Sequence, residues 1–235
     1  MKRAVDKSKF IVADIKKETA DVVTLYLAPA GKRLDYKAGQ YVAVYLDKDK
    51  DSHGKFYTLS SSPTEKIPTI SVKKVGQFSS ALHNLKIGDS VYLSGPYGCF
   101  YPETGVGHAI FLAAGIGVTP FLSILKYYKD KGISQKIDLY YTNKTLLDTA
   151  FCEELKTLNQ GNYWKLFSFL TRDRSGNRSD DNYKRIKAGD IKKGSGRLDG
   201  KDFYICGPIS FVSDLRKQLL VAGVREERIF TEAFF

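Results

Sequence analysis

Cysteine is scarce in this chain of 235 residues. Cys99, Cys152 and Cys206 are the three, and no two stand at a Cys-x-x-Cys spacing. An odd, scattered set excludes a disulfide framework and argues against a zinc or iron–sulfur centre held by the chain's own thiolates, so no metal site is expected. It suits a reducing, cytoplasmic setting. Histidine is equally sparse, and His53, His83 and His108 stand in no spacing that suggests a base for a nucleophile. Long apolar runs are also missing. The longest, 109–125, is interrupted by Gly115, Gly117, Thr119, Pro120 and Ser123. It reads as a buried strand, a turn and a helix, and no membrane span is expected. The first ten residues are polar and charged, without the apolar centre of a signal peptide.

What is present is an ordinary globular composition, 43% hydrophobic and 27% charged, in a chain long enough for two domains with a core of their own. The net charge is +11. Residues 1–104 carry 16 basic and 11 acidic side chains and residues 105–235 carry 21 and 15, so the excess is +5 and +6 and no single tail holds it. A surface of this sign attracts polyanions, acidic proteins or anionic lipid, or is simply well solvated. No nucleic-acid motif accompanies it.

The pattern changes along the chain. Short β-rich runs at 22–27, 40–46, 56–59, 69–75 and 90–93 are separated by turn residues such as Gly31, Pro63, Gly88 and Gly95, with one helical piece at 79–85. That spacing predicts a barrel or sandwich. Beyond it, apolar strands at 109–114, 136–141, 164–170 and 203–206 alternate with helices at 120–129, 147–158 and 210–222, and a last strand begins at 228–230. Alternation of this kind predicts a parallel sheet with helices on both faces. The change falls between Tyr101 and His108, so the boundary is drawn as 1–104 and 105–235.

The sharpest local signal is Ala113-Ala114-Gly115-Ile116-Gly117-Val118-Thr119-Pro120, an apolar strand running through two glycines into a helix. Glycine lets the backbone turn tightly and a ligand come close. Thr119 suits the cap, Pro120 the first helical position, and a helix start favours an anion such as a pyrophosphate. A tight strand–helix turn without a ligand has the same local pattern, and the third glycine of the usual dinucleotide fingerprint is absent.

Four segments then occur in order: Lys55-Phe56-Tyr57-Thr58-Leu59-Ser60-Ser61, Gly76-Gln77-Phe78-Ser79-Ser80, Gly115 to Pro120, and Cys206-Gly207-Pro208. With Ala38-Gly39-Gln40-Tyr41-Val42, Lys86-Ile87-Gly88-Asp89 and Gly95-Pro96-Tyr97-Gly98-Cys99-Phe100, they resemble the ferredoxin–NADP⁺ reductase superfamily over nearly the whole chain. The resemblance implies an N-terminal antiparallel Greek-key β-barrel that binds FAD and a C-terminal α/β parallel sheet that binds NADP(H) or NAD(H). It implies that Lys55, Phe56, Tyr57, Thr58 and Ser60 belong to the flavin segment, with Tyr57 against the isoalloxazine ring and Thr58 near its N5. Lys55 stands where the family has Arg, a point charge in place of a planar fork, which implies either weaker flavin binding or a flavin phosphate held differently. Val72 and Lys73 match the flavin-lining strand. Gly76, Gln77, Phe78 and Ser79 match the turn that gives N–H groups and a hydroxyl to the flavin pyrophosphate.

The second dinucleotide is expected at Gly115, Gly117, Thr119 and Pro120. The resemblance implies that Cys206, Gly207 and Pro208 stand beside its nicotinamide, that Thr58, Cys206 and Glu232 set the approach of the two rings, and that Phe234, with Phe235 as the alternative, covers the flavin face. Thr58, Cys206 and Glu232 are the candidate catalytic residues. Thr171, Arg172 and Arg174 lie where the family meets the adenosine ribose. From 172 to 201 there are ten basic and five acidic residues, which suits a 2′-phosphate and hence NADP(H), although Asp173 opposes it.

The acceptor is expected to be a separate protein, most simply an acidic ferredoxin or flavodoxin steered by the positive charge. Free flavin, or the oxygenase partner of a multicomponent system, are the alternatives. A non-enzymatic basic barrel that binds nucleic acid leaves both the Gly115 turn and the Cys206 strand end unexplained. The sequence leaves the oligomeric state open.

Overall fold

The computed structural model describes residues 6–47, 54–103, 107–160, 164–172 and 181–234, with backbone alone for 181 and 182. Among them, two six-stranded sheets account for all the strands. The first holds β1 (Ser8–Lys17), β2 (Val22–Pro29), β3 (Tyr41–Tyr45), β4 (Lys55–Thr58), β5 (Thr69–Lys73) and β6 (Ser90–Tyr97) in the order β4-β3-β6-β1-β2-β5. Every pairing in it is antiparallel, and a bridge between Leu59 and Ile70 joins the two end strands and closes the barrel. Insertion of β6 between β3 and β1 is the Greek-key crossing. Alternate residues face inward, as the pleat requires. Phe10, Val12, Leu25, Leu27, Val42, Val44, Ile70 and Val72 form the core with Leu82 of α1 (Gln77–His83).

The second sheet is parallel throughout, in the order β10-β9-β8-β7-β11-β12. Its strands are β7 (His108–Ala114), β8 (Lys136–Asn143), β9 (Lys165–Leu170), β10 (Asp181–Asn182), β11 (Lys201–Pro208) and β12 (Ile229–Phe234). The connecting helices are α2 (Thr119–Lys131), α3 (Cys152–Leu158), α4 (Ala188–Ser195) and α5 (Ile209–Val221).

Four expectations are corrected. β1 was not among the expected strands, the first of which was placed at 22–27, and only its first three residues fall in the polar terminus. A register shift between Val12 and Asp14 interrupts its alternation, and its later residues are mostly charged. α3 starts at Cys152 rather than 147, because Asp148 accepts from the N–H and hydroxyl of Thr145 and folds that segment as a turn. The polar stretch after 171 contains α4, whose two glycines and single buried residue, Ile191, leave little helical pattern. Thr119 does not cap α2. A 3₁₀ turn, Gly115–Val118, precedes the helix, Val118 holds the cap position, and the Thr119 hydroxyl donates to the Ile116 carbonyl at 3.0 Å.

The apolar run 109–125 is explained by what covers it. α2 packs on the sheet through Phe111 and Phe121, whose rings stack with centroids 4.6 Å apart. It also meets the barrel, where Phe121 lies 5.7 Å from Phe100 and Ser123 donates to the Ser61 carbonyl at 2.5 Å. A helix covered on both sides is apolar nearly all round. Among the described residues no helix is long and apolar enough to cross a membrane. The barrel ends with Tyr97 and the parallel sheet begins with His108; the expected boundary at 104/105 lies outside the described residues.

Candidate active site

From β7 the chain continues through β8 and β9 to one side, and then returns through β11 and β12 to the other. Such a reversal opens a crevice at the carboxyl ends of the two diverging strands, here Ala114 of β7 and Pro208 of β11. The two glycines after β7 do different work. Gly115 has φ +55° and nothing within 4 Å of where a Cβ would stand, so a ligand has free approach to a backbone conformation that favours glycine. Gly117 faces inward: a Cβ there would lie 2.3 Å from the Cys206 carbonyl oxygen and 2.9 Å from Gly207 Cα. It lets the helix start press against the end of β11. Gly207 in turn lies against Ala114 and Phe211.

A cavity of about 530 Å³ opens beside this turn. Gly115, Pro208, Thr171 and Arg172, all candidates from the sequence, line it, and Lys73 of the barrel reaches its rim while paired with Asp21 at 3.1 Å. Arg185 and Lys187, members of the basic stretch 172–201, also line it, as do Lys144 and Thr142, which were not foreseen. Lys144, Arg172, Arg185 and Lys187 have no ion-pair partner among the described residues. Thr142 Oγ1 is buried without a hydrogen bond among the described residues. Uncompensated cations and an orphaned buried hydroxyl fit an anionic, oxygen-rich ligand such as a dinucleotide. Arg174 lies outside the described residues.

On the other side of β7, Cys206 is buried and registers with Ala113 of β7 and Glu232 of β12. Burial, with the nearby Glu232 carboxyl, pushes the Cys206 thiol well up, so it stays protonated. A protonated, buried thiol is a poor nucleophile, and neither described histidine is placed to act as its base. His83 is bound to the Val72 carbonyl, and His108 stands at the far end of β7, five residues or about 17 Å from the level of Cys206. Glu232 is also raised by burial, to about 7. Its carboxyl reaches the barrel: Oε1 lies 3.7 Å from where a Gly98 Cβ would stand, and the Tyr41 ring lies 2.8 Å from the same point. Tyr41 pairs with Thr58 in β4 and with Tyr97 in β6. Tyr41, Gly98 and Glu232 therefore come together where the two halves meet, with Cys206 registered beside Glu232 and Thr58 beside Tyr41. Tyr41 and Gly98 were legible only as members of motifs. Phe234 is half-buried, registers with Pro208 and packs on the core around Cys206; Phe235 lies outside the described residues.

The flavin segment is split by the strand's two faces. Tyr57 is half-buried, 6.4 Å from Phe78 in a stacked arrangement, and burial raises its phenol to about 12. Its hydroxyl has no hydrogen-bond partner among the described residues. Phe56 faces the opposite way, 67% exposed, edge-on to Tyr41 and Tyr97, and Lys55 is exposed beside it. Ser60 stands apart: its hydroxyl is buried between Thr69 and Ser71 at 2.9 and 2.8 Å. Val72 is buried in the barrel core, so only its backbone can face a ligand. At the α1 turn, the Ser79 hydroxyl accepts from the Val75 and Gly76 N–H groups at 2.9 Å and donates to the Gly76 carbonyl. It is committed to the turn, which leaves the N–H groups of Gln77 and Phe78 for an anion. A Cβ on Gly76 would meet nothing within 4 Å. The open turn, the unpartnered Tyr57 phenol and the exposed Lys55 fit a flavin carrying a diphosphate.

Comparison with known proteins agrees with this geometry. Residues 9–101 match the family model of the oxidoreductase FAD-binding domain, and residues 111–217 match that of the oxidoreductase NAD-binding domain. Flavohemoprotein A of Dictyostelium discoideum is 32% identical over 97% of this chain and 60% of its own length. The reductase component of propane 2-monooxygenase from Rhodococcus jostii is 27% identical over 95% of the chain and 62% of its own. The chain thus spans about three fifths of the curated relatives it matches. Among solved structures, the FAD/NAD-binding domain of nitric oxide dioxygenase from Vibrio cholerae superposes with a TM-score of 0.83 at 29% identity, over 97% of this chain and 98% of that one. With a flavin half, a nicotinamide half and a crevice between them each accounted for, the chain is an oxidoreductase of the ferredoxin–NADP⁺ reductase superfamily.

Proposed function

We propose that the chain passes a hydride between NAD(P)H and FAD, with NADPH preferred, and that the electrons leave for an acceptor outside residues 1–235. Residues 1–104 act as the flavin half and 105–235 as the nicotinamide half. The observation that carries this reading is the meeting of Glu232 with Tyr41 and Gly98, with Cys206 registered beside Glu232 and Thr58 beside Tyr41, next to an open glycine turn.

FAD supplies a ring that accepts a hydride as an electron pair and gives electrons up singly. The chain supplies position. Lys55 and the N–H groups of Gln77 and Phe78 hold the flavin diphosphate, Tyr57 lies along the ring, and Thr58 offers its hydroxyl at the rim. Gly115 and the turn behind it hold the nicotinamide dinucleotide's pyrophosphate. Cys206, Gly207 and Pro208 set the nicotinamide end, and Phe234 moves aside for it. Cys206 fills its place as a neutral thiol, and Glu232 holds a proton on its carboxyl up to about pH 7.

The four cations of the cavity, which have no ion-pair partner among the described residues, support NADPH, since a 2′-phosphate adds a dianion that NADH lacks. Arg185→Ala is expected to raise KM for NADPH about tenfold and to leave KM for NADH unchanged. A wild-type protein that turns over NADH better than NADPH contradicts the preference.

Relatives named flavohemoproteins support a haem group as acceptor, while the net charge of +11 supports an acidic carrier such as a ferredoxin or flavodoxin. NADPH oxidation by the FAD-loaded protein, with a haem protein, a ferredoxin, a flavodoxin and free FAD offered in turn, ranks them. A preparation that stays colourless after incubation with FAD overturns the whole reading. Lys55→Arg is expected to tighten FAD about fivefold, because the fork replaces a point charge on the diphosphate. A fluorescence titration of the flavin-free protein that finds equal or weaker affinity removes Lys55 from that role.

A further inference from the structure

Buried polar side chains in native folds have hydrogen-bond partners, so an exception calls for a reason. Thr142 is 9% exposed and its Oγ1 has no partner among the described residues. Of the buried polar side-chain atoms without a hydrogen bond there, it alone belongs to a residue lining the large cavity. Thr142 is the next-to-last residue of β8, paired on one side with Ala114 of β7 and on the other with Phe169 of β9. Two ladders fix its backbone, and its remaining freedom is χ1, which exchanges methyl and hydroxyl.

Its neighbours define what passes over it. Gly115 follows its β7 partner, and Arg172 follows the end of β9, with Arg185 and Lys187 on the same cavity. Cys206 lies on the other side of β7, two strand spacings or about 10 Å away. A ligand spanning from the Gly115 turn to the cations therefore crosses Thr142 with its phosphate and ribose portion, while its nicotinamide lies on the Cys206 side. Resting on the dinucleotide reading above, we propose that Thr142 is a binding residue for the adenosine-diphosphate half of NAD(P)H, its hydroxyl donating a hydrogen bond to a phosphate or ribose oxygen. Without ligand the protein keeps a desolvated, unpaired hydroxyl; with ligand that hydroxyl is satisfied.

Two nearly isosteric changes test this in the FAD-loaded full chain, with ADP-ribose as probe. Thr142→Val is expected to weaken ADP-ribose binding about tenfold, to lower kcat/KM for NADPH by the same factor, and to raise the melting temperature of the unliganded protein. Thr142→Ser keeps the hydroxyl and is expected to bind within twofold of wild type. Unchanged ADP-ribose affinity in Thr142→Val overturns the proposal, as does a lowered melting temperature, which would mark the hydroxyl as structural. A wild-type protein that neither binds ADP-ribose nor oxidises NADPH overturns the cavity reading as well, which separates the two failures.

Discussion

Gly117→Ala is expected to lose about 3 kcal/mol of stability and about a hundredfold in the rate at which NADPH reduces the protein-bound flavin, while FAD stays bound. The added methyl would lie 2.3 Å from the Cys206 carbonyl oxygen and 2.6 Å from its carbon. Both belong to backbone held in the β7–β11 and β11–β12 ladders, so no flexible side chain can yield. The contact opens by about an ångström only if the helix start and the end of β11 separate. Forced overpacking of this kind costs about 1–3 kcal/mol or somewhat more, and for a chain of this length 3 kcal/mol corresponds to a melting point lower by about 6–12 °C. The same movement displaces the anion turn and Cys206 together, and a misplacement of that size is worth about two orders of magnitude in rate. The barrel is untouched, so the yellow colour persists. Gly115→Ala is the contrast: its neighbourhood is empty, so the cost in stability is the left-handed φ alone, about 1 kcal/mol. Calorimetry, flavin absorbance and anaerobic stopped-flow reduction separate the effects. A Gly117→Ala protein that is reduced as fast as wild type removes the close approach from the mechanism.

That contrast also marks what was legible in the sequence. The pattern of Gly115 and Gly117 after an apolar strand is local, and so is the alternation of strands and helices that follows it. Which glycine serves the ligand and which serves β11 depends on Cys206, some ninety residues later, and no window of sequence contains both. The flavin segment reads as one motif, yet its strand sends Tyr57 to one face and Phe56 to the other, and Ser60 falls into a buried hydroxyl ladder. Arg185 and Lys187 were visible only as part of a basic stretch; Thr142 was not visible at all, because a lone threonine at a strand end has no pattern. β1 escaped because its bulge broke the alternation by which the other strands were found.

Glu232→Gln is expected to flatten a pH dependence and, above neutrality, to stabilise the protein. Burial raises the Glu232 carboxyl to about 7 from an ordinary value of 4.5. A carboxyl whose folded pKa lies above its unfolded one holds a proton in the folded state that the unfolded state has released. Stability is therefore full below about pH 4.5, declines as the pH rises toward 7, and stays lower above it. The shift corresponds to about 3 kcal/mol at most, and glutamine, which does not titrate, avoids that loss. At pH 8 the variant should therefore melt several degrees higher than wild type, and at pH 4 the two should coincide. The kinetic consequence has the same origin. Hydride arrival brings negative charge into a crevice where Glu232 faces Gly98 and Tyr41. A neutral carboxyl tolerates that charge and a carboxylate opposes it, so the wild-type rate of flavin reduction should fall about tenfold between pH 6 and pH 8, a change worth about 1.4 kcal/mol. In Glu232→Gln the rate should stay near the acid-side value throughout. A variant that is slow at every pH would instead make Glu232 a proton donor, and one that keeps the wild-type inflection would assign the titration to another group.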